Sequence, residues 1–542
     1  MDETAVLIAG GGPIGLTLGL ELSARGVPCV VVERNATTTS YPKMDLTNSR
    51  SMELYGRLGL SERIRDAAVP RDNDFDVAWI TGLGGHELHR FRYPSQIAMR
   101  ERIRARNDGS MPAEPAVRMS QIELEPVLKR ALEAHDIASV RFGWAFESLR
   151  QDADGVTCLV RECATGEART VRCRYLVGCD GGGSTVRNAL GIRLEGTAGV
   201  RQSYMIHFRS RAHDLLRWRG GAWHYQSGRG TLIAQDDDQY WTLQLRVRTG
   251  VDPSTLDPRA AMRDCFGADI EADILLANAW TAHLLVADKY RDGRVFLAGD
   301  AAHQFVPTGG YGMNTGVGDA VDLGWKLAAT IRDNAGSQLL ESYEIERRPV
   351  ALRNREASRA NVMVRFAILE RFDAAGDIES DTPEAADNRG RLAANIRDLG
   401  NLENEQWGTE YGFVYADSPV TAREAGAPPP FDAGVNTPTT YPGARLPSVV
   451  LPDGEALYAK LHSGFTLIAF GAVDVGDIEP VAAAHEMSLR LLRLPDDDLA
   501  RIYERKLVLV RPDHHVAWRG DAAPASWLAL VDLVLGRTSG GA

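Results

Sequence analysis

The chain has 542 residues, of which 44% are hydrophobic and 25% charged, and its formal net charge is −12. That length exceeds what one hydrophobic core sustains, so several structural units are predicted, and the negative field excludes nucleic acid or an anionic membrane as the main partner. Cys29, Cys158, Cys163, Cys173, Cys179 and Cys265 form neither CxxC pairs nor zinc-ligand spacing, which reads as free thiols in a reducing, cytoplasmic setting with no metal site.

From the N-terminus, residues 5–20 are uncharged, but Asp2 and Glu3 precede them and Gly10-Gly11-Gly12-Pro13 interrupts them, unlike a signal sequence. Ala5-Val6-Leu7-Ile8-Ala9 is the short apolar run a buried parallel strand needs, and Gly10, Gly12 and Gly15 follow it as G-x-G-x-x-G around Pro13 and Ile14. Ile14, Leu18 and Leu22 recur on one helical face as far as Gly26, and residues 29–32 form a second strand that delivers Glu33. This is a βαβ dinucleotide unit: glycines admit a pyrophosphate, the helix N-terminus supplies free N–H groups, and the acid accepts from a ribose hydroxyl. The acid suits the unphosphorylated ribose of FAD or NAD and leaves the choice between them open.

Further on, Arg100, Arg102, Arg104 and Arg106 form a basic run that reads as a solvated face rather than an anion site. Tyr175-Leu176-Val177 leads into Gly178-Cys179-Asp180-Gly181, which in isolation is a turn after a strand. Residues 201–208 and 240–245 alternate aromatic or branched side chains with polar ones, as in a sheet buried on one face. Arg294-Val295-Phe296-Leu297-Ala298 is another buried strand; it runs into Gly299-Asp300 and a loop from Pro307 to Asn314. Val317, Ala320, Val321, Gly324, Leu327, Ala328 and Ile331 then keep three-and-four spacing, so a long helix starts after that loop. A reduced isoalloxazine is anionic, and loop amides at a helix N-terminus stabilise it, with Asp300 set to take the ribityl chain. Residues 360–405 read as charged helix, 425–447 as a Pro, Gly and Thr linker, and 461–472 and 506–513 as strands of a further unit.

With these motifs in place, the chain resembles the single-component FAD-dependent aromatic hydroxylases typified by para-hydroxybenzoate and phenol hydroxylases, including aromatic polyketide hydroxylases. Residues 10–15 with Glu33-Arg34, Cys179-Asp180-Gly181 within 178–187, and Gly299-Asp300 with its Pro307 loop carry the resemblance. It implies an α/β fold: a Rossmann-like FAD-binding domain (1–75, 110–187 and 288–360) interleaved with a β-sheet substrate domain (76–109 and 188–287). A helical connection (361–424) and a thioredoxin-like C-terminal domain (425–542) follow. No cysteine lies beyond Cys265, which removes dithiol chemistry from that domain and leaves a structural or homodimer-contact role.

The implied reaction takes FAD as cofactor and NADPH or NADH as a transient co-substrate, the chain having only one complete dinucleotide unit. Oxygen passes from O2, through a flavin C4a-hydroperoxide, to a small phenolic or polycyclic aromatic substrate. The resemblance assigns flavin contacts to Gly10, Gly12, Pro13, Ile14, Gly15, Glu33, Arg34, Gly299 and Asp300, and gives Asp180 and Gly181 a role toward both FAD and NAD(P)H. It extends them to Arg118 and Gln121 at a helix start and to Arg50, for which a surface helix arginine is an equal reading. Pro307, Gly312, Met313 and Asn314 are expected to form the flavin's reactive environment without a dedicated base, and His303 to shape the pocket. Tyr204, His207, Trp223, Tyr225 and Trp241 are the candidate substrate-lining residues, with ordinary sheet packing the competing reading at each. Three other functions stand beside this one: a Baeyer–Villiger oxygenase, an epoxidising oxygenase on the same scaffold, and a non-catalytic nucleotide-binding protein. A flavin-dependent halogenase is disfavoured, because its WxWxIP element is absent.

Overall fold

The first strand, Asp2–Ala9, has neighbours on both sides, because its residues from Val6 onward are almost wholly buried and every backbone group there must find a partner. A computed structural model, which describes residues 2–217, 220–247, 250–332, 335–495 and 498–537, pairs it in parallel with Cys29–Glu33 and with Ala168–Gly178. Val295–Leu297 and Ala138–Phe142 extend the parallel sheet on either side, and Trp144–Gln151 and Val156–Glu162 add an antiparallel meander. The glycine-rich turn opens the helix Pro13–Ala24, with Pro13 at its first position, where a missing N–H costs nothing. Residues 13–23 of this helix are buried, not only the stripe through Ile14, Leu18 and Leu22. Small residues allow that depth: a Cβ at Gly19 would sit 2.7 Å from Leu132 Cδ2, and one at Gly324 2.7 Å from Glu21 Cβ.

A second sheet takes strands from three separated segments, in the order His303–Gln304, Asp273–Ala287, Leu194–Arg209, Tyr240–Arg246, Gly230–Ala234, His224–Gln226, Val77–Ile80 and Glu87–Phe91. One face of it packs on the helix Pro258–Phe266 through Met262 and Phe266. Two long helices connect the sheets. Tyr311–Arg332 packs against Pro13–Ala24, and Ser337–Asp373 passes through residue 360 without a break and runs along the second sheet.

The C-terminal unit is a mixed four-stranded sheet, Leu489–Leu494, Phe465–Phe470, Leu507–Val510 and Val516–Gly520, with helices Ile478–Ala484 and Trp527–Val534. The fold is thus the α/β arrangement expected, with a Rossmann-like unit, an interleaved sheet and a thioredoxin-like end. The Pro-rich stretch before it is docked rather than free: Arg445 Nε donates to Glu53 Oε2 at 2.9 Å, and Asn436 Nδ2 to the Ser110 carbonyl at 3.0 Å. Deeper in this junction, Arg511 binds Glu346 (2.6 and 2.8 Å), Asp322 (3.1 Å) and Asp513 (2.6 Å), while Lys326 binds Asp322 (2.8 Å) and Glu346 (2.6 Å). Three acids face two bases. Burial, with Glu346 and Asp513 adding to it, pushes the Asp322 carboxyl well above the usual carboxylate range, so a proton there balances the set. Among the described residues no helix is long and apolar enough to cross a membrane.

Candidate active site

At the end of the first strand, Gly10 has φ +110°, and a Cβ there would collide with the Cys179 carbonyl, so the glycine turn and the Asp180 loop lie side by side. Gly12 caps the helix Pro13–Ala24 with no side-chain bond to its amides, and the space beside its Cα is open as far as Glu125 Oε1 at 4.0 Å. Glu33 sits half-buried at the strand end. Its Oε2 accepts from the Gly11 N–H at 2.9 Å, and its Oε1 from the Asn35 N–H at 2.9 Å, so the carboxylate is held in place beside the turn. Arg34 is exposed next to it.

Gly299-Asp300 arrives at the same place from the other end of the chain. A Cβ at Gly299 would lie 2.8 Å from Ile14 Cγ1, so this loop is seated on the glycine-rich turn. Asp300 keeps an open face, yet the protein around it raises its pKa by burial, with His303 and Lys43 acting in the opposite sense. A carboxylate both open and desolvated is one that lines a groove. These features fit an extended dinucleotide: uncapped amides for the pyrophosphate, Glu33 for a ribose, Asp300 for a polyol chain, and the first turn of Tyr311–Arg332 beyond it. There Pro307 is exposed, and beside Gly312 no atom lies within 4 Å of where a Cβ would be.

Several expected contacts have other partners. Asp180 accepts from Ser184 Oγ and from the Val186 N–H at 3.1 Å, capping the short helix Thr185–Ala189, and Gly181 makes the turn at φ +80°. Arg118 is not free for a ligand: both terminal nitrogens hold Asp237, at 2.8 and 2.6 Å, and its guanidinium lies 5.8 Å from Phe75 and 5.9 Å from Trp223. Gln121 donates to Glu125 Oε1 at 2.7 Å. Arg50 is buried rather than on a surface, and its guanidinium is committed to Glu53 (3.0 Å) and to the Asp513 carbonyl (2.7 Å). The Asn314 side chain pins the loop itself, accepting from Asn48 N and Ser51 Oγ and donating to the Leu46 and Gly310 carbonyls. That leaves the backbone of Gly312, Met313 and Asn314 as the part that can face a ring.

Strand alternation decides the substrate candidates. Tyr204, Tyr225 and Trp241 occupy the apolar face with Ile206, Phe208 and Leu243, packed on Met262 and Phe266. They are core residues. His207 stands on the opposite face, its Nδ1 3.0 Å from the Trp241 carbonyl. Trp223 Nε1 donates to Asp45 Oδ2 at 3.2 Å, and His224 Nε2 lies 2.9 Å from the same oxygen. Burial works to raise the Asp45 pKa, but His224 and Arg118 hold it below the usual range. Since Asp45 precedes Leu46, whose carbonyl binds Asn314, the sheet face carrying His224 is the one turned to the glycine-rich loop. Ser203, Met205, Gln226, Thr231, Thr242 and Gln244 share that face by register. Sequence reading missed them because it followed the aromatic phase of each strand, which is the phase a half-buried strand turns to its core.

The loops are coupled by residues with no sequence signal beyond their charge. Arg187 donates to the Ala301 carbonyl (3.0 Å) and the Gly182 carbonyl (2.9 Å), tying the Asp180 loop to the Asp300 loop. Asp319 accepts from the Gly299 N–H (3.2 Å), sits 2.8 Å from His303 Nε2, and pairs with Arg347 Nε at 2.8 Å; Arg347 reaches on to Tyr415 Oη at 2.9 Å. His303 is fully buried and then enters the second sheet, pairing with Val286.

The model of the FAD binding domain family matches residues 3–358, and that of the aromatic-ring hydroxylase C-terminal family matches 439–538. An FAD-dependent monooxygenase of Emericella nidulans is 36% identical over 571 aligned residues, covering 100% of this chain and 91% of its own. The structure of the rebeccamycin biosynthetic enzyme RebC with reduced flavin superposes with a TM-score of 0.87 at 34% identity, covering 99% of each chain. That of aklavinone-11 hydroxylase in a ternary complex with FAD and aklavinone gives 0.82 at 27% identity, again over 99% of each chain.

Proposed function

Because the chain belongs to the FAD-dependent aromatic-ring hydroxylase family of monooxygenases, we propose that it uses NADPH or NADH and O2 to hydroxylate a phenolic or polycyclic aromatic substrate held between the Pro307 loop and the polar face of the second sheet. Bound FAD supplies the redox chemistry, accepting hydride and activating O2. The residues of the chain bind, orient and exclude water. Glu33 and the amides at the start of Pro13–Ala24 take the adenosine and pyrophosphate end, and Asp300 the polyol. The amides of Gly312, Met313 and Asn314 stabilise negative charge at the ring, aided by the N-terminal end of Tyr311–Arg332. Asp45, held ionised by His224 and Arg118, stands at the sheet face as an acceptor for a substrate hydroxyl.

The observation that carries this reading is the seating of Gly299 on Ile14, with the same loop continuing into the second sheet as His303–Gln304. One short segment thereby spans the nucleotide turn and the substrate roof. The purified protein is expected to be yellow and to oxidise NADPH or NADH faster when a phenolic aromatic is added, with product mass rising by one oxygen from labelled O2. Hydride consumption indifferent to every aromatic tested, or a colourless protein that does not take up FAD, overturns the proposal.

A further inference from the structure

The first turn of the helix Ser49–Arg57, capped by Asn48, meets the flavin loop on one side and an unassigned acid on the other. The Asn48 N–H and Ser51 Oγ both donate to Asn314 Oδ1, at 3.0 and 2.7 Å, and so hold the residue whose backbone is left to face a ring. Between them in sequence, the Ser49 N–H lies against the carboxyl of Glu410, which arrives on the short helix Trp407–Tyr411. Glu410 is half-buried. Burial and the neighbouring Glu53 push its pKa up to about 8; the Ser49 N–H pulls the other way, and no cation helps it. Glu410 and Asn314 also line one polar cavity, which reaches inward to Asp322 and Asp513 of the ion cluster. Its space for water centres is about 30 Å³, room for about two waters.

The other groups around this cavity keep one charge through neutral pH. Against the effect of burial, Arg445 and Arg50 keep Glu53 ionised, and Arg511 keeps Asp513 so. Burial leaves the proton on Asp322, drives His515 down to about 3, and holds the Tyr311, Tyr411 and Tyr415 hydroxyls above their usual range. Arg347 is tied to Asp319, and Arg50 to Glu53. Among the described residues here, Glu410 is therefore the one whose charge changes near pH 8.

We propose that Glu410 is a proton-uptake site for flavin reduction, binding a proton from solvent when the ring held by Gly312, Met313 and Asn314 accepts a hydride. This rests on the FAD reading above. The hydride leaves the nicotinamide with its electron pair and adds one negative charge to the flavin. Glu410 goes from carboxylate to acid, so the charge around the loop is restored. Uptake operates where Glu410 is ionised before reduction, and fades at lower pH, where it already carries the proton. Linkage is reciprocal: ionised Glu410 disfavours the reduced flavin by the same free energy.

The FAD-loaded protein, equilibrated without oxygen against a dye of known potential, gives the ratio of reduced to oxidised flavin from its visible spectrum across the pH range. At the acid end the parent and Glu410→Gln should agree. At the alkaline end the ratio in Glu410→Gln should exceed the parent's by about 5-fold or more, the lower end of ordinary coupling between sites. Glu410→Asp should keep a pH-dependent departure from Glu410→Gln. A structural role alone would shift the ratio equally at every pH. The parent needs no variant to be informative, since its own profile should steepen near pH 8. A parent profile with no such bend, superimposable profiles for parent and Glu410→Gln, or an offset constant with pH would each overturn the proposal. In all three cases a bound, reducible flavin leaves the FAD reading standing, whereas a chain that takes up no FAD overturns both.

Discussion

Replacing Asp319 with Asn tests whether the Gly299-Asp300 loop is held by a charge or only by shape. Asp319 is fully buried and takes three donors: the Gly299 N–H, His303 Nε2 and Arg347 Nε. Burial alone would raise its pKa, but Arg347 and His303 hold it ionised, below the usual carboxylate range. Asn fills the same volume yet leaves Arg347 charged and buried among neutral acceptors alone, the Thr315 carbonyl and Tyr415 Oη with at most the amide oxygen of the new side chain. Removing one partner from a buried pair costs about 3–5 kcal/mol, most of it the penalty on the charge left behind. Arg347→Met should cost less, since Asp319 keeps the Gly299 N–H and His303 Nε2 as partners and no charged guanidinium is left behind. The double variant should therefore be more stable than the sum of the two single losses by about 2 kcal/mol or more. Urea unfolding followed by circular dichroism and by flavin fluorescence gives the three values. FAD retention should fall with Asp319→Asn, because the Gly299 amide loses part of its anchor. Additive losses in the double variant, or a single Asp319→Asn loss under about 1 kcal/mol, would refute the charge argument.

Other expectations follow from the same geometry. Asp300→Ala should weaken FAD binding by about 10- to 100-fold with the secondary structure unchanged, as measured by equilibrium dialysis and circular dichroism; undiminished FAD affinity would place Asp300 outside the flavin groove. Arg118→Met should lower stability by about 3–5 kcal/mol, by stranding Asp237, and change FAD affinity little; a selective loss of FAD would instead restore the flavin-contact reading of this arginine. Glu410 titrates with a pKa pushed up to about 8 by burial and by Glu53, so the folded state binds its proton more tightly than the unfolded chain does. Its contribution is thus fully present below about pH 4.5 and is lost as the pH rises to about 8. Glu410→Gln should flatten that fall and raise stability at pH 8 by about 1–2 kcal/mol, a figure kept well below the full shift because the residue is only partly buried and lines a polar cavity; an unchanged pH profile of the unfolding midpoint would contradict it.

The parts of this protein legible from sequence are those whose signal is local. The strand at 5–9, the glycine turn, Glu33 and the Gly299-Asp300 loop each occupy a few consecutive residues with a fixed backbone requirement, and the structure brings them to one groove. Charge was less informative, since a charged side chain advertises itself without naming its partner. Arg50 and Arg118 looked like ligands for a cofactor but close on the Asp513 carbonyl and on Asp237, partners 463 and 119 residues away. The second sheet failed in a third way. Alternation was visible in residues 201–208, but which phase faces the cleft depends on Met262 and Phe266 covering the other one, a packing fact with no local trace. Asp45 and His224 were silent for the same reason, as their pairing exists only once the loop before Leu46 meets the second sheet.

The ion cluster around Arg511 bears on what can be exchanged among proteins of this architecture. Two of its members, Arg511 and Asp513, belong to the C-terminal sheet unit, while Asp322, Lys326 and Glu346 lie on the helices that carry the flavin loop and the substrate wall. Cutting the chain before that unit would strip Glu346 of the guanidinium that both its oxygens accept from, leave Lys326 as the one base beside Asp322 and Glu346, and open that cluster to water. The C-terminal unit is therefore a member of the catalytic body's own electrostatic circuit, and a chimera that imports another such unit would have to import, or rebuild, both ends of that circuit together.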